Sequence, residues 1–169
     1  VAPREAGEKA DALVQEIVQD LLSNTQSVIQ LMSDGPMDGG PRYHALNVMI
    51  LSLLLGRAAT LPAGQLRAVG LGALLHDLGK VQVNASVLRI DGPARNRHEE
   101  SAYRQHVEYG VVLARQLGIE DPTVLEIVRH HHERLDGSGW PDGRAGGRIS
   151  SRSPTASTGC ATRSTRPAG

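Results

Sequence analysis

Histidine is the residue type whose positions say most about the chemistry of this chain. Five of its seven histidines, together with one aspartate, follow a spacing typical of metal binding. The residues concerned are His44, His76, Asp77, His106, His131 and His132. Neutral imidazoles with few carboxylates suit iron, manganese or zinc. Two such ions held a few ångströms apart suit the hydrolysis of phosphate esters.

Each of these motifs is weak evidence when it is taken alone. A histidine on an apolar helix is more often a packed or surface residue than a ligand. The triplet at residues 130–132 could be a solvated helix end, where protonated imidazoles favour the helix dipole. The combination is more specific, because ligand-type residues occur near four predicted helix ends and a glycine-rich turn follows the last two histidines. The sequence therefore predicts a metal site.

The composition is that of an ordinary single domain. The 169 residues carry 18 basic and 18 acidic side chains, so nothing indicates binding to a nucleic acid polymer or an acidic membrane. Phenylalanine is absent, so aliphatic residues must form the core. One cysteine, Cys160, excludes an internal disulfide and favours the cytoplasm. The first ten residues lack the apolar character of a signal peptide, and the apolar run at 48–55 is too short to span a bilayer.

The spacing of apolar residues predicts an all-α fold of about five helices. A loop rich in glycine, proline and aspartate is expected at 33–41, and another loop at 81–97. Asp121 followed by Pro122 is a favourable helix start. No alternating pattern typical of a strand is present. The predicted helices cover residues 4–32, 42–59, 63–77, 99–117 and 121–132.

The composition changes sharply near the end of the chain. Residues 150–169 contain no Leu, Ile, Val, Met or aromatic side chain. Such a segment cannot bury enough apolar surface to fold. We therefore expect an amphipathic N-terminal helix within 1–35, a helical metal-binding core at 36–149 and a disordered tail at 150–169.

The motifs resemble those of the HD-GYP family, the metal-dependent branch of the HD superfamily. The family pattern is a histidine, then His-Asp-x-Gly-Lys, then a histidine with a glycine four residues later. It closes with His-His-Glu-x-x-Asp-Gly-x-Gly-Tyr-Pro, and this chain matches every motif in order between Tyr43 and Pro141. The resemblance implies hydrolysis of the bacterial second messenger cyclic di-GMP to pGpG or GMP. It also implies two divalent transition metals, with iron or manganese favoured.

The resemblance assigns a role to each residue of the motifs. The implied metal ligands are His44, His76, Asp77, His106, His131 and His132. Asp77 would bridge the two metals. Lys80, one of only two lysines in the chain, would contact a substrate phosphate, for which an ammonium group is well suited. Glu133 and Asp136 could orient ligand histidines, or Glu133 could be only a charge at a helix end.

The chain departs from the family pattern in three places. Trp140 replaces the tyrosine of Gly-Tyr-Pro, which keeps a ring and loses a hydroxyl. Gly40 stands where some members carry a glutamate for a third metal, so we expect two metals. After Ile149 the family continues with a helix that carries one more aspartate ligand, whereas this chain has the Ser/Thr/Arg tail. That tail resembles the same helix translated in a shifted frame, and as written it predicts weak or absent hydrolysis.

Three interpretations of function are compatible with these motifs. The first is a cyclic di-GMP phosphodiesterase that is weakened or inactive with the tail as written. The second is a catalytically degenerate module of cyclic di-GMP signalling, which would bind a partner such as a GGDEF-domain protein. The third is another HD phosphohydrolase acting on a nucleotide, against which the His-His-Glu-x-x-Asp-Gly-x-Gly turn argues.

Overall fold

The computed structural model describes residues 2–24 and 40–144, and within these ranges it is a bundle of helices without a β-strand. This confirms the prediction of an all-α fold. The α-helices are α1 (Pro3–Ser23), α2 (Gly40–Ala58), α3 (Ala63–Leu75), α4 (Ala85–Leu88), α5 (Arg97–Arg104), α6 (His106–Gln116) and α7 (Pro122–His130). Two short 3₁₀ helices, Leu78–Gln82 and Gly92–Ala94, flank α4.

Helix α3 is the centre of the bundle. It packs against α1, α2 and α7, and its buried residues, which lie between Leu66 and Leu75, are all apolar or glycine, as expected of a central helix. Two glycines let its neighbours approach closely. A Cβ atom on Gly70 would lie 2.8 Å from Val14 of α1, and one on Gly72 would lie 2.8 Å from Ile127 of α7.

The helix boundaries differ from the predicted ones where local hydrogen bonds redirect the chain. Helix α1 ends at Ser23, and the rest of the predicted first helix lies outside the described residues. The single helix predicted at 99–117 is two helices, α5 and α6, which meet at Gln105. Helix α5 begins early because Asn96 and Glu99 form a capping box. The predicted loop at 81–97 contains α4 and the second 3₁₀ helix, so that prediction was wrong.

The predicted metal ligands lie where helices end. Helix α3 ends at Leu75, two residues before the predicted end, so His76 and Asp77 lie in the bend that leads into the first 3₁₀ helix. The Asp121 cap is confirmed, since its carboxylate accepts the N–H groups of the first turn of α7. Helix α7 ends at His130, not at residue 132, and the histidine pair follows it directly.

Close contact between backbones brings the first 3₁₀ helix against α6. A Cβ atom on Gly79 would lie 1.9 Å from the carbonyl oxygen of His106 and 2.4 Å from the amide nitrogen of Gly110. A Cβ atom on Gly110 would in turn lie 3.6 Å from the amide nitrogen of Gly79. Both glycines belong to the sequence motifs, and their lack of side chains allows the Asp77 bend to lie beside the start of α6.

The predicted tail at 150–169, its shifted frame and residues 33–39 of the predicted loop at 33–41 lie outside the described residues, so the predicted domain boundaries stay predictions. Residues 40 and 41 belong to α2, which begins before its predicted start at residue 42. No helix in the described ranges is long and apolar enough to cross a membrane.

We predict that Gly79→Ala lowers the free energy of unfolding by more than about 2 kcal/mol, because the new methyl group meets backbone atoms that cannot move aside. Gly64→Ala is the matched control, since nothing lies within 4 Å of its Cβ position in the first turn of α3. That control should leave stability unchanged or raise it by up to about 1 kcal/mol. Denaturant unfolding measures both. Equal stability of the two variants would contradict the role of Gly79.

Candidate metal centre

The Asp77 carboxylate lies where the predicted ligands meet. Its Oδ2 atom is 3.3 Å from His76 Nε2 and 3.9 Å from His44 Nε2. Its Oδ1 atom is 3.7 Å from His106 Nε2 and also 3.7 Å from His131 Nε2. The two oxygens of one carboxylate therefore face two different sets of imidazoles.

The candidate ligand atoms form two groups that share Asp77, and within each group they lie within 4.8 Å of one another. The exposed group consists of His44, His76 and Asp77. The buried group consists of Asp77, His106, His131 and His132. The structure thus brings together all six residues singled out in the sequence. His98, which the motifs leave out, lies on the exposed first turn of α5.

Three of the histidines are held by carbonyl groups at helix ends. The last turn of an α-helix has carbonyl groups without partners inside the helix. Helices α3, α5 and α7 each use one of them to accept a hydrogen bond from an imidazole three residues further on. The bonds join His76 Nδ1 to the Ala73 carbonyl at 2.7 Å, His106 Nδ1 to the Tyr103 carbonyl at 2.6 Å and His131 Nδ1 to the Val128 carbonyl at 2.9 Å.

These hydrogen bonds determine which ring nitrogen is available to a metal. A carbonyl only accepts, so Nδ1 carries the hydrogen and Nε2 of the neutral ring keeps its lone pair. His106 Nε2 and His131 Nε2 lie 3.3 Å apart, so two lone pairs face each other beside the Asp77 carboxylate. A cation between them removes that repulsion. Imidazole and carboxylate together are a donor set that iron, manganese and zinc accept, so the buried group fits a divalent metal.

His132 contributes a ring nitrogen that is ready for a metal. Its Nε2 atom is buried and has no hydrogen-bond partner among the described residues. Burial, with the nearby His131 and His106 rings, lowers the pKa of His132 to about 3. Burial also lowers the pKa of His106 to about 4. Both rings are neutral at pH 7, the state in which imidazole binds metals. Trp140 stacks on His132 with ring centroids 4.1 Å apart and holds that ring in place.

In the exposed group, His44 is open to solvent and Asp77 is ionised. The His44 side chain is 58% exposed, whereas His76 is nearly buried. Burial lowers the pKa of His76, but the Asp77 carboxylate and a backbone carbonyl raise it more. Burial would raise the pKa of Asp77, yet its contacts with His131 and His76 outweigh burial. Lys80 Nζ, 2.6 Å from Asp77 Oδ2, lowers that pKa further, to well below its usual range. Asp77 therefore attracts cations at any ordinary pH.

Glu133 and Asp136 shape the turn after the histidine pair, and in the described part of the chain neither carboxylate is hydrogen-bonded to a candidate ligand histidine. This corrects the interpretation that they orient those rings directly. The Glu133 carboxylate accepts three backbone N–H groups from residues 142–144, at 2.7 to 3.0 Å. The alternative, that Glu133 is only a charge at a helix end, therefore does not describe its role either. Asp136 accepts the backbone N–H and the hydroxyl of Ser138 at 2.9 and 2.7 Å. These bonds give the loop that carries Trp140 its shape.

His130, the first member of the histidine triplet, serves that loop and not the metal groups. Its Nε2 atom is 3.1 Å from Asp142 Oδ2. Arg144 binds the same carboxylate at 3.0 Å and also pairs with Glu126 of α7. The ion pairs fasten the loop to α7, so Trp140 is held over the ligand that it stacks against.

A cavity of about 770 Å³ opens over the exposed group. Two of its lining residues, Arg95 and Tyr103, were not singled out in the sequence. The signal for Tyr103 was available, because it stands three residues before His106, the spacing at which a helix-end carbonyl holds an imidazole. The lining consists of His44, Ala45, Leu74, Asp77, Leu78, Lys80, Val81, Leu88, Arg95 and Tyr103.

Comparison with known proteins agrees with this geometry. Residues 42–159 match the model of the HD domain family. The chain belongs to the HD domain family. The HD motif itself is His76 with Asp77, the pair that joins the two ligand groups. The match continues past residue 144 into the part of the chain that the structure does not describe.

Named relatives of this HD domain are bacterial phosphodiesterases. The chain is 32% identical over 141 residues to the cyclic di-GMP phosphodiesterase PA4108 of Pseudomonas aeruginosa, which covers 83% of this chain and 34% of that protein. It is 29% identical over 135 residues to the cyclic di-GMP phosphodiesterase response regulator RpfG of Xanthomonas campestris pv. campestris, covering 79% of this chain and 34% of that protein.

A third relative is named for a different substrate. The chain is 41% identical over 69 residues to the 3'3'-cGAMP-specific phosphodiesterase 2 of Vibrio cholerae, which covers 40% of this chain and 13% of that protein. The chain therefore spans about a third or less of the length of these relatives. Together with the motifs, the three similarities confirm the resemblance to the HD-GYP branch.

We predict that the purified HD domain binds at most two transition-metal ions. Asp77→Ala should lose both, because both groups use its carboxylate, and His76→Ala should lose the ion of the exposed group, to which His76 belongs. His132→Ala should keep the ion of the exposed group, and His98→Ala should keep both. Elemental analysis of protein purified without chelator measures the stoichiometry. Three tightly bound ions, or equal loss in all variants including His98→Ala, would show that the site is assigned wrongly.

We predict that Trp140→Ala weakens metal binding at the buried group by about tenfold, since residues that hold a ligand in place typically contribute that much. Trp140→Tyr keeps an aromatic ring against His132 and should bind metal almost as the unmodified chain does. Competition with a fluorescent chelator gives both affinities. Equal affinity of the alanine and tyrosine variants would contradict the role assigned to the stacked ring.

Proposed function

We propose that this chain is a metal-dependent phosphodiesterase domain that hydrolyses cyclic di-GMP to pGpG or GMP. The observation that carries the proposal is the position of Asp77, whose two oxygens face separate groups of ligand histidines. The proposed ligands are His44 and His76 for one ion and His106, His131 and His132 for the other, with Asp77 shared. Iron or manganese suits such a mixture of imidazole and carboxylate.

Two divalent metals bound by these residues would supply an activated water and an electrophile for the phosphoryl oxygens. The chain itself orients and binds the substrate. Lys80 donates to Asp77 Oδ2 at 2.6 Å, and an ammonium group has two further hydrogens to donate. Lys80 lines the cavity, where those hydrogens could be donated to oxygens of the scissile phosphate. There Lys80 would stabilise the charge that develops during hydrolysis.

The cavity supports a nucleotide substrate. Its volume of about 770 Å³ lies within the range of small-molecule sites. Its lining combines charged side chains such as Asp77 and Lys80 with apolar ones such as Leu74, Val81 and Leu88. A cyclic dinucleotide likewise combines charged phosphates with flat aromatic bases.

A second candidate substrate is 3'3'-cGAMP, because one relative is named as a phosphodiesterase specific for it. It shares the phosphodiester chemistry of cyclic di-GMP and differs in one base. We place cyclic di-GMP first because the two relatives matched over about four-fifths of the chain are named for it.

The degenerate binding module stays the alternative from a different class. It would keep the ligand groups and contact a partner such as a GGDEF-domain protein without turnover. The family pattern predicts a further aspartate ligand after Ile149. A chain without that aspartate would bind one of the two ions through fewer protein ligands, which would favour the binding module over the enzyme. A cytoplasmic location stays part of the proposal and follows from the nature of the substrate.

The test is product formation from cyclic di-GMP by protein loaded with Mn²⁺ or Fe²⁺. It compares the chain as written with a chain whose frame is shifted after Ile149, and it includes 3'3'-cGAMP as a second substrate. We expect weak hydrolysis by the chain as written and faster hydrolysis by the frame-shifted chain. Binding without turnover in both chains would favour the degenerate module and overturn the proposed activity.

We predict that Lys80→Met lowers kcat by about a hundredfold or more, the usual effect of removing one donor to a developing charge. Methionine keeps the length of the side chain, so metal content should stay at the unmodified level. The comparison with Asp77→Ala is informative, because that variant should lose activity and metal together. Normal turnover by metal-loaded Lys80→Met would exclude Lys80 from phosphate binding.

A further inference from the structure

We infer that Arg95 recognises the guanine base of the substrate and makes the site selective for guanine over adenine. This inference deepens the proposed function, from which it takes the cyclic dinucleotide substrate. Arg95 belongs to the wall of the cavity that contains Lys80 and Asp77. It stands outside every metal-binding motif of the sequence.

The Arg95 guanidinium is buried without adequate partners inside the described part of the protein. Its side chain is only 11% exposed. Its Nε atom is buried and makes no hydrogen bond to any described residue. The nearest carboxylate is that of Glu100, at 3.6 Å, which is beyond a good hydrogen bond. Glu100 is bound more closely, at 2.8 Å, by Arg104. A buried charge with so little compensation costs stability, which suggests that a ligand supplies the missing partner.

An aromatic ring holds the guanidinium in place. The Arg95 guanidinium carbon lies 3.8 Å from the centroid of the Tyr103 ring, a distance at which the planar group stacks on the ring. The same ring lies 5.6 Å from Lys80 Nζ and 4.8 Å from the centroid of His106. Arg95 is therefore held one aromatic ring away from the residues that bind the scissile phosphate, where the adjoining nucleoside must lie.

The wall around Arg95 selects the kind of group that it can bind. The cavity lining beyond the metal groups is apolar, with Leu74, Leu78, Val81 and Leu88. Among the described residues that line this cavity, the charged donors are Lys80 and Arg95, and none is an amide side chain or a carboxylate other than Asp77. The apolar wall suits the flat face of a nucleobase. The planar guanidinium of Arg95, which can donate two parallel hydrogen bonds, suits a base edge with two adjacent acceptors.

Guanine is the base that meets these requirements. Its O6 and N7 atoms are adjacent acceptors, which arginine binds in bidentate fashion. Adenine presents N7 beside the N6 amino group, a donor that would face the Arg95 donors. The competing possibility is that Arg95 binds the second phosphate, in which case the identity of the base would not matter.

The test measures binding of GMP and AMP to the Mn²⁺-loaded chain by calorimetry, since the two probes share phosphate and ribose and differ in the base. We expect GMP to bind about tenfold more tightly than AMP. Arg95→Ala should remove this preference by weakening GMP alone. Arg95→Lys keeps the positive charge but loses the planar guanidinium that donates two parallel hydrogen bonds. This variant should also bind GMP and AMP equally. Lys80→Met should weaken both nucleotides to a similar extent.

Arg104→Ala is the matched control, because it removes the other arginine on Glu100 without touching the cavity wall, and it should keep the preference for GMP. Thermal unfolding of each variant reports on folding. Equal binding of GMP and AMP by the unmodified chain overturns the inference. Equal weakening of both nucleotides by Arg95→Ala, with recovery in Arg95→Lys, also overturns it and assigns Arg95 to phosphate.

These results separate the inference from the proposed function. A chain that hydrolyses cyclic di-GMP but does not distinguish GMP from AMP contradicts the inference alone. A chain that prefers GMP but hydrolyses no cyclic dinucleotide contradicts the proposed function alone.

Discussion

The metal centre depends on one repeated interaction, a hydrogen bond from an imidazole Nδ1 to a carbonyl in the last turn of a helix. It occurs at the ends of α3, α5 and α7, with distances between 2.6 and 2.9 Å. Each bond uses a carbonyl at a helix end and leaves the opposite ring nitrogen near the Asp77 carboxylate, at 3.3 to 3.7 Å. Helix C-termini carry partial negative charge, so the three imidazoles bound to them lie in surroundings that favour cations.

Close packing of backbones fixes the positions of the helices that carry the candidate ligands. Gly79 and Gly110 allow the 3₁₀ helix that follows Asp77 to touch α6, and Gly72 allows α3 to pack against α7. Interiors packed at this density transmit small displacements. A methyl group at Gly79 would therefore act on the metal centre as well as on stability, because the displaced bend carries Asp77. The glycines of the motifs have a structural reason that is independent of the chemistry.

The sequence was sufficient to predict which residues gather around Asp77, because residues of ligand type are chemically distinctive and occur in an ordered pattern. All six predicted ligands, His44 through His132, lie in the two groups around Asp77. The roles of Glu133 and Asp136 were not predictable, because a carboxylate near a histidine pair can serve a ring or a backbone turn with equal chemical sense. Only the position of residues 142–144 decides that Glu133 binds the turn.

Local capping and long-range packing explain the other differences. The break at Gln105 follows neither a proline nor a glycine, so helical spacing alone predicted one helix where α5 and α6 are two. The break places His106 three residues after Tyr103, whose carbonyl at the end of α5 accepts a hydrogen bond from His106 Nδ1. Arg95 was overlooked for a similar reason. Its sequence neighbours are polar and unremarkable, and its burial comes from the Tyr103 ring on the next helix.

The central claim is that Asp77 joins two metal ions, and anomalous diffraction from crystals of the Mn²⁺-loaded chain tests it most directly. The account predicts two anomalous peaks, one beside each oxygen of Asp77, separated by about 4 Å as in two-metal hydrolytic sites. One peak should lie among the buried histidines and the other beside His44 and His76. A single peak, or a pair of peaks without Asp77 between them, would contradict the claim.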